Sequence, residues 1–359
     1  MSLLYSDLQE ELRGSVRALL ADRCPPSAVL ARVETDTPYD LDLWRALTTE
    51  IGVAGLLIPE SLGGAGATPG EAAVVLEELG RSCAPVPYLT SSVLATTLLL
   101  RSGTPAAEKL LADLASGAST AAVAVSLATS PYDVKSSGVT VTADGLTGTV
   151  TGVAGAEPAD VVLVPADGKI HAVTDFTVHT QVSLDQTRPI ATIELDSARS
   201  TRIAPDTEPL TYALSRTAAL LASEQVGVAE WCFDTTLAYV KERKQFARPI
   251  GSYQAIKHRL ADLWLDIAKA RATARNAAED DPDEITIAVA QAWTSPVTVH
   301  AAEECVQLHG GIGMTWEHPA HLYLKRAKAD SIALGTQGDH QDTLAKAANI
   351  PATPHGTGH

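Results

Sequence analysis

Between residues 5 and 115 apolar side chains recur every third or fourth position, and the runs break at Pro25-Pro26, at Gly63-Gly64 and between Pro85 and Pro87. That period places one face of a helix against a core. The pattern predicts an N-terminal helical domain over residues 1–115. Within it, YDLDLWRALTTEIG opens at acidic capping residues and stops at Gly52, GVAGLLIPESLGGAG is a glycine-rich connector, and TPGEAAVVLEELGRS starts a second amphipathic helix with Pro69 in its first turn.

The period shortens to two over residues 116–205, where Val, Thr and Gly dominate in short runs such as GVTVTADG, ADVVLVPADG and ATIELDS, the first two ending at Asp-Gly. Short strands with such turns predict a middle β domain built as an antiparallel sheet or small barrel. Helical periodicity returns after Glu208 in three long stretches, the third carrying Pro296, which is expected to kink it. Long helices joined by short connections predict a C-terminal four-helix bundle over residues 206–348, and NIPATPHGTGH reads as a loose tail over 349–359. The expected fold class is therefore mainly α with a central β domain.

Composition narrows the possibilities. The chain has 359 residues, enough for several compact domains, and only 4% of them are aromatic. A net charge of −16 argues against a nucleic-acid partner, because phosphate backbones call for clustered Lys and Arg. Cys24, Cys83, Cys232 and Cys305 are far apart with no paired spacing, so neither a disulfide framework nor a zinc site is expected. The N-terminus has no signal-peptide pattern, and no uncharged apolar run reaches the roughly 18 residues of a membrane span. These features predict a cytoplasmic protein.

Two stretches carry candidate chemistry. ERKQFARPIGSYQAIKH closes one helix with cations and opens the next; QLHGGIGMTWEHP places Gly310, Gly311 and Gly313 at the end of another. Each has an ordinary reading, as cations favouring a helix C-terminus or as glycine ending a helix, and a functional one, as a place for a phosphate. The second stretch follows a helix, so it is not the strand-to-helix glycine fingerprint of a dinucleotide fold. Asp234, Glu242 and Asp262 read as solvated helix positions, His258 and His309 as helix-end or interface residues, Trp264 and Trp293 as core or interface anchors, and Cys305 as a small buried hydrophobe. No histidine spacing suggests a metal site.

Taken in order, GVAGLLIPESLGGAG, ERKQFARPIGSYQAIKH, QLHGGIGMTWEHP and YLKRAKADSIALGT resemble the acyl-CoA dehydrogenase family of flavoproteins over nearly the whole chain. The resemblance implies FAD as cofactor, an acyl-CoA substrate, and a dimer or tetramer in which FAD reaches a neighbouring chain. Carried over by motif, Arg243, Gln245, Phe246, Gln307, Gly310 and Gly311 are the residues lent to that neighbour's FAD, and Thr336 is a further cofactor-binding position.

The family's α,β-dehydrogenation needs a carboxylate base within reach of the α-proton. Its usual Glu falls 27 residues beyond the Gln of the QxxGG motif, and counting from Gln307 reaches Leu334, in IALGT. An alternative Glu in some relatives falls ten residues before the glycine matching Gly227, at Thr217. The family's Thr-Glu-Pro loop in the β domain is replaced by VSLATSPYDVKSSGVTV, and its Trp-Ile-Thr-Asn segment by VTGVAGAEPAD. Residues serving a chain's own site are lost while those lent across an interface remain. The chain therefore resembles a subunit of a bacterial heteromeric α2β2 enzyme of the steroid-catabolic kind, without a catalytic residue of its own and paired with a homologous subunit. Two alternatives are a self-sufficient dehydrogenase using Asp330, Asp339 or His340 as base, and a flavin-free scaffold.

Overall fold

The computed structural model describes residues 4–135 and 137–350. Most of the expected tail, from residue 351 on, lies outside the described residues. The N-terminal helices are α1 (Asp7–Arg23), α2 (Pro26–Val33), α3 (Leu41–Ala46), α4 (Pro69–Arg81), α5 (Thr96–Ser102) and α6 (Pro105–Ala115). Ser6 with Gln9 forms a capping box on α1, and Thr68 with Glu71 forms one on α4, where Pro69 occupies the first turn as its sequence predicts. Asp40 caps α3, which continues as a π-helical turn to Ile51 and ends at left-handed Gly52.

The middle of the chain folds into two four-stranded sheets. One has the order β1 (Ala121–Val123), β4 (Val161–Ala166), β5 (Lys169–Val173), β8 (Ser200–Ala204); the other has the order β2 (Thr140–Val141), β3 (Leu146–Ala154), β7 (Ile190–Ala198), β6 (Thr177–Thr180). Leu146, Val150, Val162, Val164, Ile193 and Leu195 fill a shared core between them. The sequence predicts antiparallel pairing throughout, but β1 runs parallel to β4, because the chain crosses to the other sheet before returning to its neighbour. Asp167-Gly168 makes the two-residue turn between β4 and β5, both residues with positive φ, as an Asp-Gly hairpin requires.

The C-terminal helices are α7 (Glu208–Glu242), α8 (Gln254–Ala277), α9 (Glu284–His309), α10 (Ala320–Asp330) and α11 (Gln337–Ala347). Helices α4 and α7 touch backbone to backbone, since a Cβ on Gly227 would fall 1.9 Å from the Glu77 carbonyl oxygen and one on Gly80 would fall 2.1 Å from that of Glu224. Pro296 does not end α9. A proline leaves the carbonyl four residues earlier without its helical donor, and here Ala292 O accepts from the Gln337 side chain on α11 instead.

The β domain and the C-terminal helices meet at a buried ionic cluster. Arg326 of α10 donates from Nε to Asp185 Oδ2 (2.5 Å), from Nη1 to Glu224 Oε1 (2.6 Å) and from Nη2 to Thr187 Oγ1 (2.5 Å). Arg188 donates to Glu224 and, at 2.8 Å, to Asp330 Oδ1. Arg326→Met removes one of the two cations, leaving the buried Asp185 carboxylate without a guanidinium and Glu224 with Arg188 alone. It should cost about 3–5 kcal/mol, read as a lowered urea midpoint.

Candidate functional site

Helix α7 carries candidate residues at two well-separated places. Thr217 lies near its start and Arg243 caps its end, so at 1.5 Å per residue they stand roughly 39 Å apart along the axis.

At the far end, Arg243 leaves the helix in an extended conformation and leads into a small hairpin in which β9 (Lys244–Gln245) pairs with β10 (Arg248–Pro249). The two-residue loop is Phe246-Ala247, with φ of 49° and 61°. Asp167-Gly168 adopts the same signs with a glycine; here neither residue is glycine, and each pays for a left-handed conformation. The hairpin is held from behind by Tyr253, whose hydroxyl donates to Gln245 O at 3.3 Å and whose ring lies 3.8 Å below the Arg248 guanidinium. Phe246 therefore projects outward and is 90% exposed. Ala247→Gly should raise the stability of the chain by up to about 1 kcal/mol, seen as a higher unfolding midpoint. A lower midpoint would show that the turn carries no strain.

The second motif is brought to the same end. Tyr239, one turn before Arg243, stacks on His309 with ring centroids 4.4 Å apart, and Leu308 packs on the cluster of Val240, Ile250 and Leu260. Gln307, Gly310 and Gly311 are exposed beside it. Gly310 has φ +64° and ψ −139°, which only glycine adopts without strain, and no atom lies within 4 Å of a Cβ built on Gly310 or Gly311. Arg243 is exposed and no carboxylate pairs with it among the described residues. An unpaired guanidinium, a projecting aromatic ring and two bare stretches of main chain suit an anionic dinucleotide arriving from outside the chain. These residues fit FAD. Trp264 and Trp293 are 57% and 38% exposed, which excludes the core reading and leaves the interface one.

The near end is filled. Leu334 is fully buried, and its N–H donates to Leu127 O at 2.8 Å, joining the segment after α10 to the β-domain loop. It holds φ of 56°, and Gly335 follows at 103°. A Cβ on Gly335 would meet His340 Nε2 at 3.1 Å and Ser130 Oγ at 3.4 Å, so the segment has no slack. Thr217 is buried too, and its hydroxyl donates to Ala213 O within its own helix. Thr336 is the N-cap of α11, in a capping box with Asp339.

Each candidate replacement base makes contacts within the chain, although Asp330 Oδ2 and His340 Nε2 are buried without a partner among the described residues. Asp330 is buried in the ionic cluster. Asp339 accepts from the Thr336 main chain and hydroxyl, contacts that hold its carboxyl below the usual range. His340 is buried with Nδ1 3.0 Å from the Tyr132 hydroxyl, and burial pushes its imidazole down to about 4.

Sequence reasoning missed the ionic cluster and the Tyr132–His340 contact, because their members lie 36 to 208 residues apart and no local pattern links them. Cys305 is buried as expected, but not isolated: a Cys232 hydrogen bond, then His309 with Nδ1 3.7 Å from its sulfur, draw its thiol down to about 5. Among the described residues no helix is long and apolar enough to cross a membrane.

Comparison with known proteins gives a consistent answer. Models of the acyl-CoA dehydrogenase N-terminal domain and C-terminal domain match residues 6–118 and 209–348. Acyl-CoA dehydrogenase IpdE2 of Mycobacterium tuberculosis is 39% identical over 320 residues, spanning 89% of this chain and 90% of the relative. Among solved structures, a chain of the ChsE4-ChsE5 complex from Mycobacterium tuberculosis superposes with a TM-score of 0.86 at 28% identity, covering 98% of this chain and all of the other. A chain of the Tcur3481-Tcur3483 steroid ACAD, as its G363A variant, gives a TM-score of 0.85 at 29% identity, covering 96% and 99%.

Proposed function

Because this chain belongs to the acyl-CoA dehydrogenase family, whose members are FAD flavoproteins, we propose that it is the subunit of a heteromeric dehydrogenase that completes a partner's FAD site. The partner is a homologous chain that supplies the carboxylate base and the acyl pocket. The observation that carries this reading is Leu334: the position of the family's usual base is a fully buried hydrocarbon, its main chain bonded to Leu127.

The separation along α7 supports the same division. The residues at its far end, Arg243, Gln245, Phe246, Gln307, Gly310 and Gly311, face outward, where they would hold the pyrophosphate and adenosine of a cofactor seated in another chain. FAD held by these residues would supply the acceptor for the β-hydride of the acyl thioester. The contribution of this chain is to fix the anionic end by a guanidinium and by main-chain groups, which needs no titrating residue. The likeness to a chain of the ChsE4-ChsE5 complex favours a homologous partner, and the likeness to a steroid ACAD favours a bulky steroid-derived acyl-CoA.

The self-sufficient alternative requires Asp330, Asp339 or His340 to reach a substrate, but Asp330 and His340 are buried and Asp339 is held in the capping box of α11. Co-expression with a homologous chain tests the proposal. A stable yellow complex that reduces its flavin with an acyl-CoA, and that loses activity when the partner's Glu is replaced, is the expected result. Activity that persists in this chain alone would refute it, and a colourless complex would favour a flavin-free scaffold.

A further inference from the structure

The buried cluster holds more acceptors than its donors satisfy. Asp185, Arg188, Glu224, Arg326 and Asp330 are all nearly inaccessible. Three carboxylates face two guanidiniums, so the fully ionised cluster carries a surplus negative charge where water cannot screen it. The arginine donors are spent on Asp185, Glu224, Thr187 and Asp330 Oδ1. Asp330 Oδ2 is buried with no partner, and so is Gln225 Oε1. These two orphaned acceptors sit on bonded neighbours, since Gln225 Nε2 donates to Asp330 O at 3.3 Å.

No other cation bonds to the cluster among the described residues; the nearby Lys325 feels the charge of Asp185 but makes no bond to it. From the end of α4, Cys83 presents a thiol that burial pushes up, so it stays neutral. Tyr39 accepts from Gly155 N, and burial keeps its hydroxyl protonated. Lys325, on α10, stacks its ammonium 3.9 Å from the Trp316 ring, and α9 contributes the uncharged Gln291. A buried carboxylate oxygen with no donor facing it is relieved by carrying a proton, which removes the surplus charge and turns the acceptor into a donor.

We propose that this cluster keeps one proton at neutral pH, seated on Asp330 Oδ2, and that the proton latches the end of α10, and with it the closed segment 331–336, to α7 and the β domain. Burial, and then the charge of Glu224, push the Asp330 carboxyl up to about 7 against the pull of Arg188. Burial also penalises Asp185 and Glu224, but the two arginines overcome it and hold both carboxyls below their ordinary range. The surplus proton therefore settles on Asp330.

The sign of the pH effect follows by linkage. Between about 4 and about 7 the closed state holds a proton that the opened state has lost, so stability falls as pH rises through that window and is flat above it. His340 acts oppositely: burial keeps it neutral, so below its ordinary value of roughly 6.5 the unfolded chain alone takes up a proton, and stability falls as pH falls. A comparison with Asp330→Asn, which keeps the shape and places an amide donor where the proton sits, isolates the Asp330 contribution.

The experiment is amide hydrogen exchange over residues 331–336 in the full-length protein, wild type against Asp330→Asn, from pH 5 to 8. The ratio of wild-type to variant protection should fall by up to about tenfold per pH unit between 5 and 7 and level off above. A ratio that stays constant across the range overturns the proposal. Should the variant fail to fold, difference infrared spectra of wild-type protein carrying isotope-labelled aspartate give the answer directly. A protonated carboxylic acid band present at pH 6 and lost as pH passes 7 supports the proposal, and its absence at pH 6 overturns it.

Discussion

Replacing Leu334 with glutamate should destabilise the chain by about 3 kcal/mol or more and give no acyl-CoA dehydrogenation by the isolated protein. In a subunit that had merely lost its base, restoring the carboxylate would restore some chemistry. Here the side chain at 334 is fully buried in the apolar core and its main chain is bonded to Leu127, so an added carboxylate enters a desolvated interior. The left-handed backbone at Leu334 costs both residues alike, which leaves desolvation as the difference. Urea denaturation and acyl-CoA-dependent dye reduction check the two halves. An active, equally stable Leu334→Glu protein would mean that the site is intact and only unarmed.

Arg243→Ala should do the reverse. The side chain is exposed, unpaired among the described residues and at the end of its helix, so the stability of the chain itself should change by no more than about 0.5 kcal/mol. In a complex with the homologous partner, however, the lost charge-assisted bond to a diphosphate should weaken FAD binding roughly tenfold to a hundredfold. Flavin retention on gel filtration, measured beside the unfolding midpoint, separates the two effects. Unchanged flavin binding would remove Arg243 from the cofactor site.

Much of the fold is legible in the sequence because it is written locally. Ser6 and Gln9 announce α1, Thr68, Pro69 and Glu71 announce α4, and Asp167-Gly168 announces a hairpin, each within four residues. The parallel β1–β4 pair is not legible, since strand adjacency is decided by packing between sheets and not by the pattern within a strand. The same holds for the ionic cluster: Asp185, Glu224 and Arg326 look like ordinary surface charges until the β domain, α7 and α10 are folded together.

The candidate site divides along the same line. The absence of a carboxylate at Leu334 and at Thr217 can be counted off the sequence, and so can the survival of Arg243, Gln307 and the Gly310-Gly311 pair. Counting does not reveal that the vacated position is closed by the Leu127 bond, that Asp330 and His340 are buried and Asp339 caps α11, or that Phe246 is carried outward on a strained turn. Those facts depend on residues far apart in the chain.

The most direct test is the flavin content of the purified chain, alone and after mixing with its homologous partner. The account predicts a colourless chain alone and a yellow complex holding one FAD for each pair of unlike chains. Stoichiometric FAD on the isolated chain, reduced on addition of an acyl-CoA, would contradict it.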